Sequence, residues 1–274
     1  MDINELLKVS KHQIISFKEL SAYLQEKPTT HLTLKSGSTN FDELLGGGFC
    51  RGRKYLIFGS NRTGKTQLAH QLCVQNFVNY SPMEAIRNNK LNYVYFLDTE
   101  NTFRPGRLRE LALKYGGDKI EIFENIFVSK IMSNSAFLFS LKDLENQIEK
   151  SNGGVLIIDS INNHYNSELA DKLNSSNIVK QRFIKILEQI SRLTIKYNLI
   201  TIALAQVTSN LGQKSIIPVS PVGNHILNHF FSEYIYLEYI NENQRYFHLV
   251  NSVDLPEKRL PFKITSAGIQ DSKI

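Results

Sequence analysis

The run Gly59-Ser60-Asn61-Arg62-Thr63-Gly64-Lys65-Thr66 constrains this chain more than any other stretch. It fits G-x-x-x-x-G-K-[ST], with an apolar strand predicted over Lys54 to Gly59 before it and a helix from Lys65 towards Asn79 after it. Glycines at 59 and 64 let the backbone wrap closely, so that the N–H groups of Ser60, Asn61, Arg62 and Thr63 face phosphate oxygens. Lys65 brings a point positive charge to the β- and γ-phosphates, and the Thr66 hydroxyl is a Mg²⁺ ligand. The helix that starts there turns the positive end of its dipole towards the anion. The motif implies a strand–loop–helix unit that binds a nucleoside triphosphate with Mg²⁺.

A phosphate loop needs a carboxylate for the metal shell. Val155-Leu156-Ile157-Ile158-Asp159, an apolar strand ending in an acid, supplies it. Hydrolysis also needs a group that orients or deprotonates water. Asp98 and Glu100 follow a second strand, Asn92 to Asp98, and parallel sheets bind ligands beyond the carboxyl ends of their strands. Glu100 has the longer reach and is the favoured general base. In the competing reading Glu100 caps the turn and Asp98 does the work. Gln206 ends a further strand and leads into a loop, so it either senses the γ-phosphate or merely holds the turn.

Strands and helices alternate from Gly37 onward. Helices are predicted after Arg104-Pro105, over Phe137 to Lys150 and over Ile178 to Tyr197, with a strand at Leu199 to Gln206. Interleaved apolar strands and helices predict an α/β fold, a mostly parallel twisted sheet with helices on both faces. Tyr234 to Ile240, Arg245 to Val250 and Leu260 to Ile264 read as antiparallel strands on the sheet edge near the C-terminus. The chain divides into a short helical segment, residues 1–35, and an ATPase core, residues 36–274. In the first, Phe17, Leu20 and Leu24 form one helical stripe that Pro28 ends, too small to fold alone.

No apolar run approaches a membrane span, and an acidic start, Met-Asp-Ile-Asn-Glu, argues against export. An intracellular location, cytoplasm or nucleoid or nucleus, is expected. Cys50 and Cys73 make no disulfide framework and have no metal-ligand spacing around them. Both are expected to be reduced, with Cys73 packed on the apolar face of its helix. A net charge of +6 is compatible with a polyanionic partner but specifies none.

Further motifs carry a resemblance. Leu34-Lys35-Ser36-Gly37-Ser38 precedes Leu44-Leu45-Gly46-Gly47-Gly48, and Gln67 continues Gly64-Lys65-Thr66. Asp98-Thr99-Glu100-Asn101-Thr102-Phe103-Arg104-Pro105 follows, then Gly223-Asn224-His225, Asp254-Leu255-Pro256-Glu257, and Ile264-Thr265 through Gly268-Ile269. In this order, from about Phe17 to Asp271, the chain resembles the RecA/RadA family of DNA-recombination ATPases, in its archaeal and eukaryotic strand-exchange branch. The resemblance implies a RecA-like core, ATP and Mg²⁺ as cofactors, single-stranded and possibly duplex DNA as partner, and DNA-stimulated hydrolysis.

By the same resemblance, Glu100 is the catalytic carboxylate and Gln206 couples nucleotide state to a DNA loop. Arg104 stacks on adenine, His225 lies near the γ-phosphate, and Gln67 belongs to the nucleotide site. Asn251 to Glu257 matches a cap over the nucleotide of a neighbouring subunit. Phe17 and Leu20 match a Phe-x-x-Ala element that docks onto the next protomer of a filament, although Leu20 replaces the small residue. DNA contact is expected within 162–177 and 207–222, with Lys172 and Lys214 as candidate phosphate contacts. The departures are specific. About thirty-five leading residues cannot hold a helix-hairpin-helix domain. The first loop reads Leu169-Ala170-Asp171-Lys172-Leu173-Asn174 without a Gly-Arg-Gly arginine, Asn166 replaces an Arg, Ser60 a Glu and Asn251 an Asp. Together they favour a recombinase paralogue or mediator over the main recombinase. A filament assembly factor that binds ATP with negligible hydrolysis, and a RecA-core signalling ATPase, are the alternatives.

Overall fold

A computed structural model describes residues 33–78, 93–115, 123–151, 153–210, 217–242 and 244–272. Phe17, Leu20, Leu24, Pro28 and Lys214 lie outside them. The central sheet has the order β13-β12-β11-β10-β3-β7-β6-β4-β5. Its parallel half comprises β3 (Lys54–Phe58), β4 (Val94–Asp98), β5 (Ile126–Lys130), β6 (Val155–Asp159), β7 (Ile200–Ala205) and β10 (Glu233–Asn241). The antiparallel flank adds β11 (Gln244–Asn251), β12 (Lys258–Thr265) and β13 (Gly268–Asp271).

Side-chain alternation sorts the strands between two cores. Tyr55, Ile57, Phe96, Val155, Ile157, Ile202 and Leu204 face one side. There they meet α1 (Thr39–Leu44), α2 (Lys65–Val78) and α3 (Pro105–Tyr115) through Phe41, Leu68, Leu72, Cys73 and Leu108. Leu56, Phe58, Leu97, Leu156, Ile158 and Ala203 face the other side. They pack on α4 (Asn134–Ser151), α5 (Asn163–Ala170) and α6 (Ser176–Lys196) through Phe137, Leu141, Tyr165, Phe183 and Ile186. Burial on both faces makes these strands continuous apolar runs, which is why the sequence reveals them.

Several expectations need correcting. The core starts earlier than residue 36, because β1 (Thr33–Leu34) pairs with β2 (Phe49–Cys50) and Leu34 is fully buried. β10 is not simply an antiparallel edge strand, since it also lies parallel to β3. β5, unseen in the sequence, closes the far edge beside β4. Its mixed polar and half-exposed residues erase the apolar signal of a buried strand. Helix α5 occupies much of 162–177, so only a short turn remains before α6. Within 207–222, β8 (Val207–Ser209) and β9 (Val219–Pro221) form a small antiparallel hairpin, followed by α7 (Asn224–Leu227).

Candidate active site

Strands β3, β7, β6 and β4 are parallel neighbours, so Gly59, Gln206, Asp159 and Asp98 emerge side by side at their carboxyl ends. The phosphate loop is packed against its own protein. A Cβ on Gly59 would sit 2.5 Å from the Leu237 carbonyl oxygen. A Cβ on Gly64, whose φ is +107°, would sit 2.7 Å from Ile264 Cδ1. At 59 a side chain would meet backbone, and at 64 the positive φ strains any residue with a Cβ even if Ile264 moves aside. The buried Thr63 hydroxyl closes the loop by donating to Ser60 O at 3.0 Å. Lys65 Nζ donates to Gly59 O at 2.7 Å and to Ser60 O at 2.9 Å, while Ser60, Asn61 and Arg62 stay exposed. Burial pushes the Lys65 ammonium below its ordinary value, and the charges of Asp159 and Glu100 partly offset this.

The Thr66 hydroxyl donates to Asp159 Oδ2 at 2.7 Å, and the Thr102 hydroxyl donates to the same oxygen at 3.0 Å. Burial first, with the nearby charge of Glu100 adding to it, pushes the Asp159 carboxyl up to about 6. This is a buried anion with too little positive charge around it, presented with hard oxygen donors. Those properties fit Mg²⁺. Among the described residues, no group of three or more His, Cys, Asp or Glu side chains could cage a metal. An ion here would be shared between Thr66, Asp159 and the ligand's phosphates, as Mg²⁺ commonly is.

Asp98 and Glu100 occupy different positions in the turn. Asp98 Oδ1 accepts from Glu100 N at 3.2 Å and Thr102 N at 3.0 Å, and Oδ2 accepts from Phe103 N at 3.0 Å. Asp98 is the residue that caps the turn. Glu100 instead reaches across the strand ends, where its Oε1 accepts from Ser160 Oγ at 2.5 Å and from Gln206 Nε2 at 2.8 Å. Oε2 takes part in neither bond.

Gln206 links this carboxylate to the β8–β9 hairpin. Its Nε2 also donates to Asn163 Oδ1 at 3.2 Å, and Asn163 Nδ2 donates to Thr99 O at 2.7 Å. Gln206 N donates to Asn162 Oδ1 at 2.8 Å. Asn162 Nδ2 then donates to both Gln206 O at 2.9 Å and Val222 O at 3.0 Å. One fully buried amide thus braces both ends of the segment from Gln206 to Val222.

Arg104 is exposed at the start of α3, with Nη1 donating to Asn101 O at 2.9 Å and Phe103 O at 3.0 Å. Its backbone N–H donates to His70 Nε2 at 2.9 Å, which puts the His70 proton on Nδ1, facing Thr66 O at 2.7 Å. Burial lowers the His70 pKa and so favours this neutral form. Gln67 faces α3 and accepts from Arg107 Nε at 2.9 Å. His225 stands exposed on α7, and among the described hydrogen bonds none joins it to the phosphate loop. Lys172 is exposed in the α5–α6 turn, where Asp171 Oδ1 accepts from Leu173 N at 3.0 Å.

The sequence did not reveal His70, Thr102, Ser160, Asn162 or Asn163 as parts of this network. Asn162-Asn163 had a usable signal, a pair of amides just beyond the Asp159 strand end. Ser160 shares that position. His70 had only its place one helical turn after Thr66, which by itself does not distinguish it from a packing residue.

Comparisons with known proteins identify the chain's relatives. The family model Rad51 matches residues 27–272. The meiotic recombination protein DLH1 of Candida albicans is 30% identical over 251 residues, covering 90% of this chain and 76% of that protein. The DNA repair and recombination protein RadA of Ignicoccus hospitalis is 29% identical over 238 residues, covering 87% and 72%. The meiotic recombination protein DMC1/LIM15 homolog of Homo sapiens is 29% identical over 279 residues, covering 97% and 78%. Matched by that family model over residues 27–272, the chain belongs to the Rad51 family.

Proposed function

We propose that this chain is an ATP-dependent DNA-binding protein of homologous recombination and repair, with DNA-stimulated ATP hydrolysis. The observation that carries the proposal is the Glu100–Gln206–Asn162 chain of hydrogen bonds, which runs from the phosphate pocket to the β8–β9 hairpin. In this reading Lys65 and the loop N–H groups hold the triphosphate, and Thr66 and Asp159 hold Mg²⁺, which neutralises phosphate charge. Two donors fix Glu100 Oε1, leaving Oε2 to take a proton from the attacking water. Arg104 offers its planar guanidinium to the adenine. Gln206 passes the state of the pocket to the 207–222 segment, which contacts single-stranded DNA.

Assembly follows from where the parts lie. The segment 251–257 joins β11 to β12 at the amino end of β3, whereas the phosphate loop leaves its carboxyl end. At about 3.3 Å per strand residue these ends are roughly 20 Å apart, which supports reading 251–257 as a cap over a neighbouring copy's nucleotide rather than over its own. At the far edge, β5 exposes Phe127 and Val128 beside a cavity of about 130 Å³ lined by Tyr95, Leu97, Ser140 and Leu144. An exposed edge with an apolar pocket suits docking of the segment that carries Phe17 and Leu20 in the next copy or in a related recombinase.

ATP turnover with single-stranded, duplex and no DNA, at two salt concentrations, tests the proposal. Stimulation that weakens as salt rises is expected, because phosphate contacts release counterions. Equal rates in all conditions with no DNA bound at low salt would sink it.

A further inference from the structure

The segment 251–257 is tied to the body of its own chain by a fork of charge. Arg53 Nη1 and Nη2 donate to Asp254 Oδ1 at 2.9 Å and Oδ2 at 2.7 Å, a bidentate pair. Such a pair fixes direction as well as distance. Behind Arg53 lies Glu233, whose side chain is 1% exposed, with Oε1 3.5 Å from Arg53 Nη1. Among the described residues its Oε2 has no hydrogen-bond partner. The buried carboxylate therefore holds the guanidinium in place from the inner side while Asp254 takes it from the outer side. Burying an acid this deeply beside a cation is costly to stability and makes sense where an orientation must be held.

The surrounding contacts agree. The Ser252 hydroxyl accepts from Leu255 N at 3.2 Å, and Leu255 packs over Gly46, where an added Cβ would sit 3.1 Å from Leu255 Cδ2. Between these anchors Val253 is 77% exposed, turned outward. Arg53 holds the Asp254 carboxyl below its ordinary range, so the fork persists across neutral pH.

We infer that Arg53, backed by Glu233, is a positioning residue for the nucleotide site of a neighbouring copy, acting through Asp254 to aim the segment 251–257. The inference rests on the proposed shared nucleotide site. Its direct variant, Arg53→Met, strands a buried carboxylate and threatens folding, so the test uses Asp254, which is half exposed. Asp254→Ala should raise KM for ATP about fivefold or more while leaving kcat within about twofold, the pattern of lost uniform binding. Asp254→Glu, which keeps two acceptor oxygens, should recover most of that affinity.

The deciding measurement mixes proteins. Glu100→Gln chains cannot turn over ATP but carry an intact Arg53–Asp254 fork. In excess, they should return the KM of Asp254→Ala sites towards the wild-type value, which repair of a locally misfolded chain could not achieve. An unchanged KM in Asp254→Ala, or a raised KM that Glu100→Gln chains do not lower, overturns the positioning role. A wild-type chain without ATP turnover overturns the catalytic reading as well.

Discussion

Gln206 Nε2 lies 2.8 Å from Glu100 Oε1, joining the end of β7 to the turn after β4 across the strand β6 between them. The bond makes the orientation of a carboxylate depend on a residue whose main chain begins the β8–β9 hairpin. Movement of either is felt by the other.

The first prediction follows from that bond. Glu100→Gln should lower single-turnover ATP hydrolysis by about 10²–10⁴-fold, the usual worth of a positioned base, with ATP affinity changed only a few-fold. Gln206→Ala should reduce the ratio of DNA-stimulated to unstimulated turnover more than it reduces ATP affinity. Rapid-quench assays with and without single-stranded DNA read both. A Glu100→Gln protein that hydrolyses at the wild-type rate removes Glu100 from the chemistry.

Asn162→Ala should destabilise the fold. Its amide pairs with the part-buried Gln206 N, Gln206 O and Val222 O; Gln206 O keeps its bond from Val222 N, so two main-chain groups lose their partner, at a cost of roughly 1–3 kcal/mol. Urea denaturation measures the loss. Hydrogen exchange should rise at Val222 N, which bonds Gln206 O at 3.0 Å, before it rises in the central strands.

Gly59→Ala should abolish ATP binding without unfolding the central sheet. The added methyl meets the Leu237 carbonyl, so loop and β10 must part. Circular dichroism and titration with a fluorescent ATP analogue distinguish the two effects. Wild-type affinity would show that the loop tolerates the shift.

Acid sensitivity should come partly from the α4–α6 contact. The Arg192 guanidinium, with help from Lys196 and Tyr197, holds Glu145 well below its ordinary 4.5, at about 2. A carboxylate with a depressed folded value contributes stability fully above its unfolded pKa and loses it as pH falls through the folded one. The contribution is therefore complete above about 4.5 and gone near 2. Glu145→Gln should flatten the stability–pH curve within that window and leave its slope near neutrality unchanged, as read from urea midpoints.

The two cysteines should react unequally. Cys73 is completely buried in α2 and its thiol is pushed well up by burial, whereas Cys50 is half-buried. Iodoacetamide followed by peptide mass analysis should label Cys50 in the native protein and Cys73 only after denaturant is added.

The sequence was most legible where one residue type meets one physical need. Apolar strands buried on both faces fixed the places of β3, β4, β6 and β7. The spacing of Gly59, Gly64, Lys65 and Thr66 located the phosphate loop. Strand β5 was hidden because an edge strand with one half-exposed face loses the apolar run. Helix α5 was hidden because Asn163-His164-Tyr165-Asn166 reads as loop chemistry, yet Tyr165 stacks on Phe183 at 4.3 Å and pins the helix. Telling which of Asp98 and Glu100 caps the turn required coordinates. Both stand after the same strand, and only the three N–H groups converging on Asp98 show which acid is spent on the turn. Ser160 and Asn162 gain their meaning from neighbours far away in the chain, which no local pattern records.

The Asn162 brace also bears on the length of the segment it closes. A segment clamped at its neck behaves as a closed ring, and doubling such a ring's length costs only about 0.6 kcal/mol of entropy. A change of length between Gln206 and Val222 therefore costs the fold little, so long as Asn162 keeps its hold on both ends.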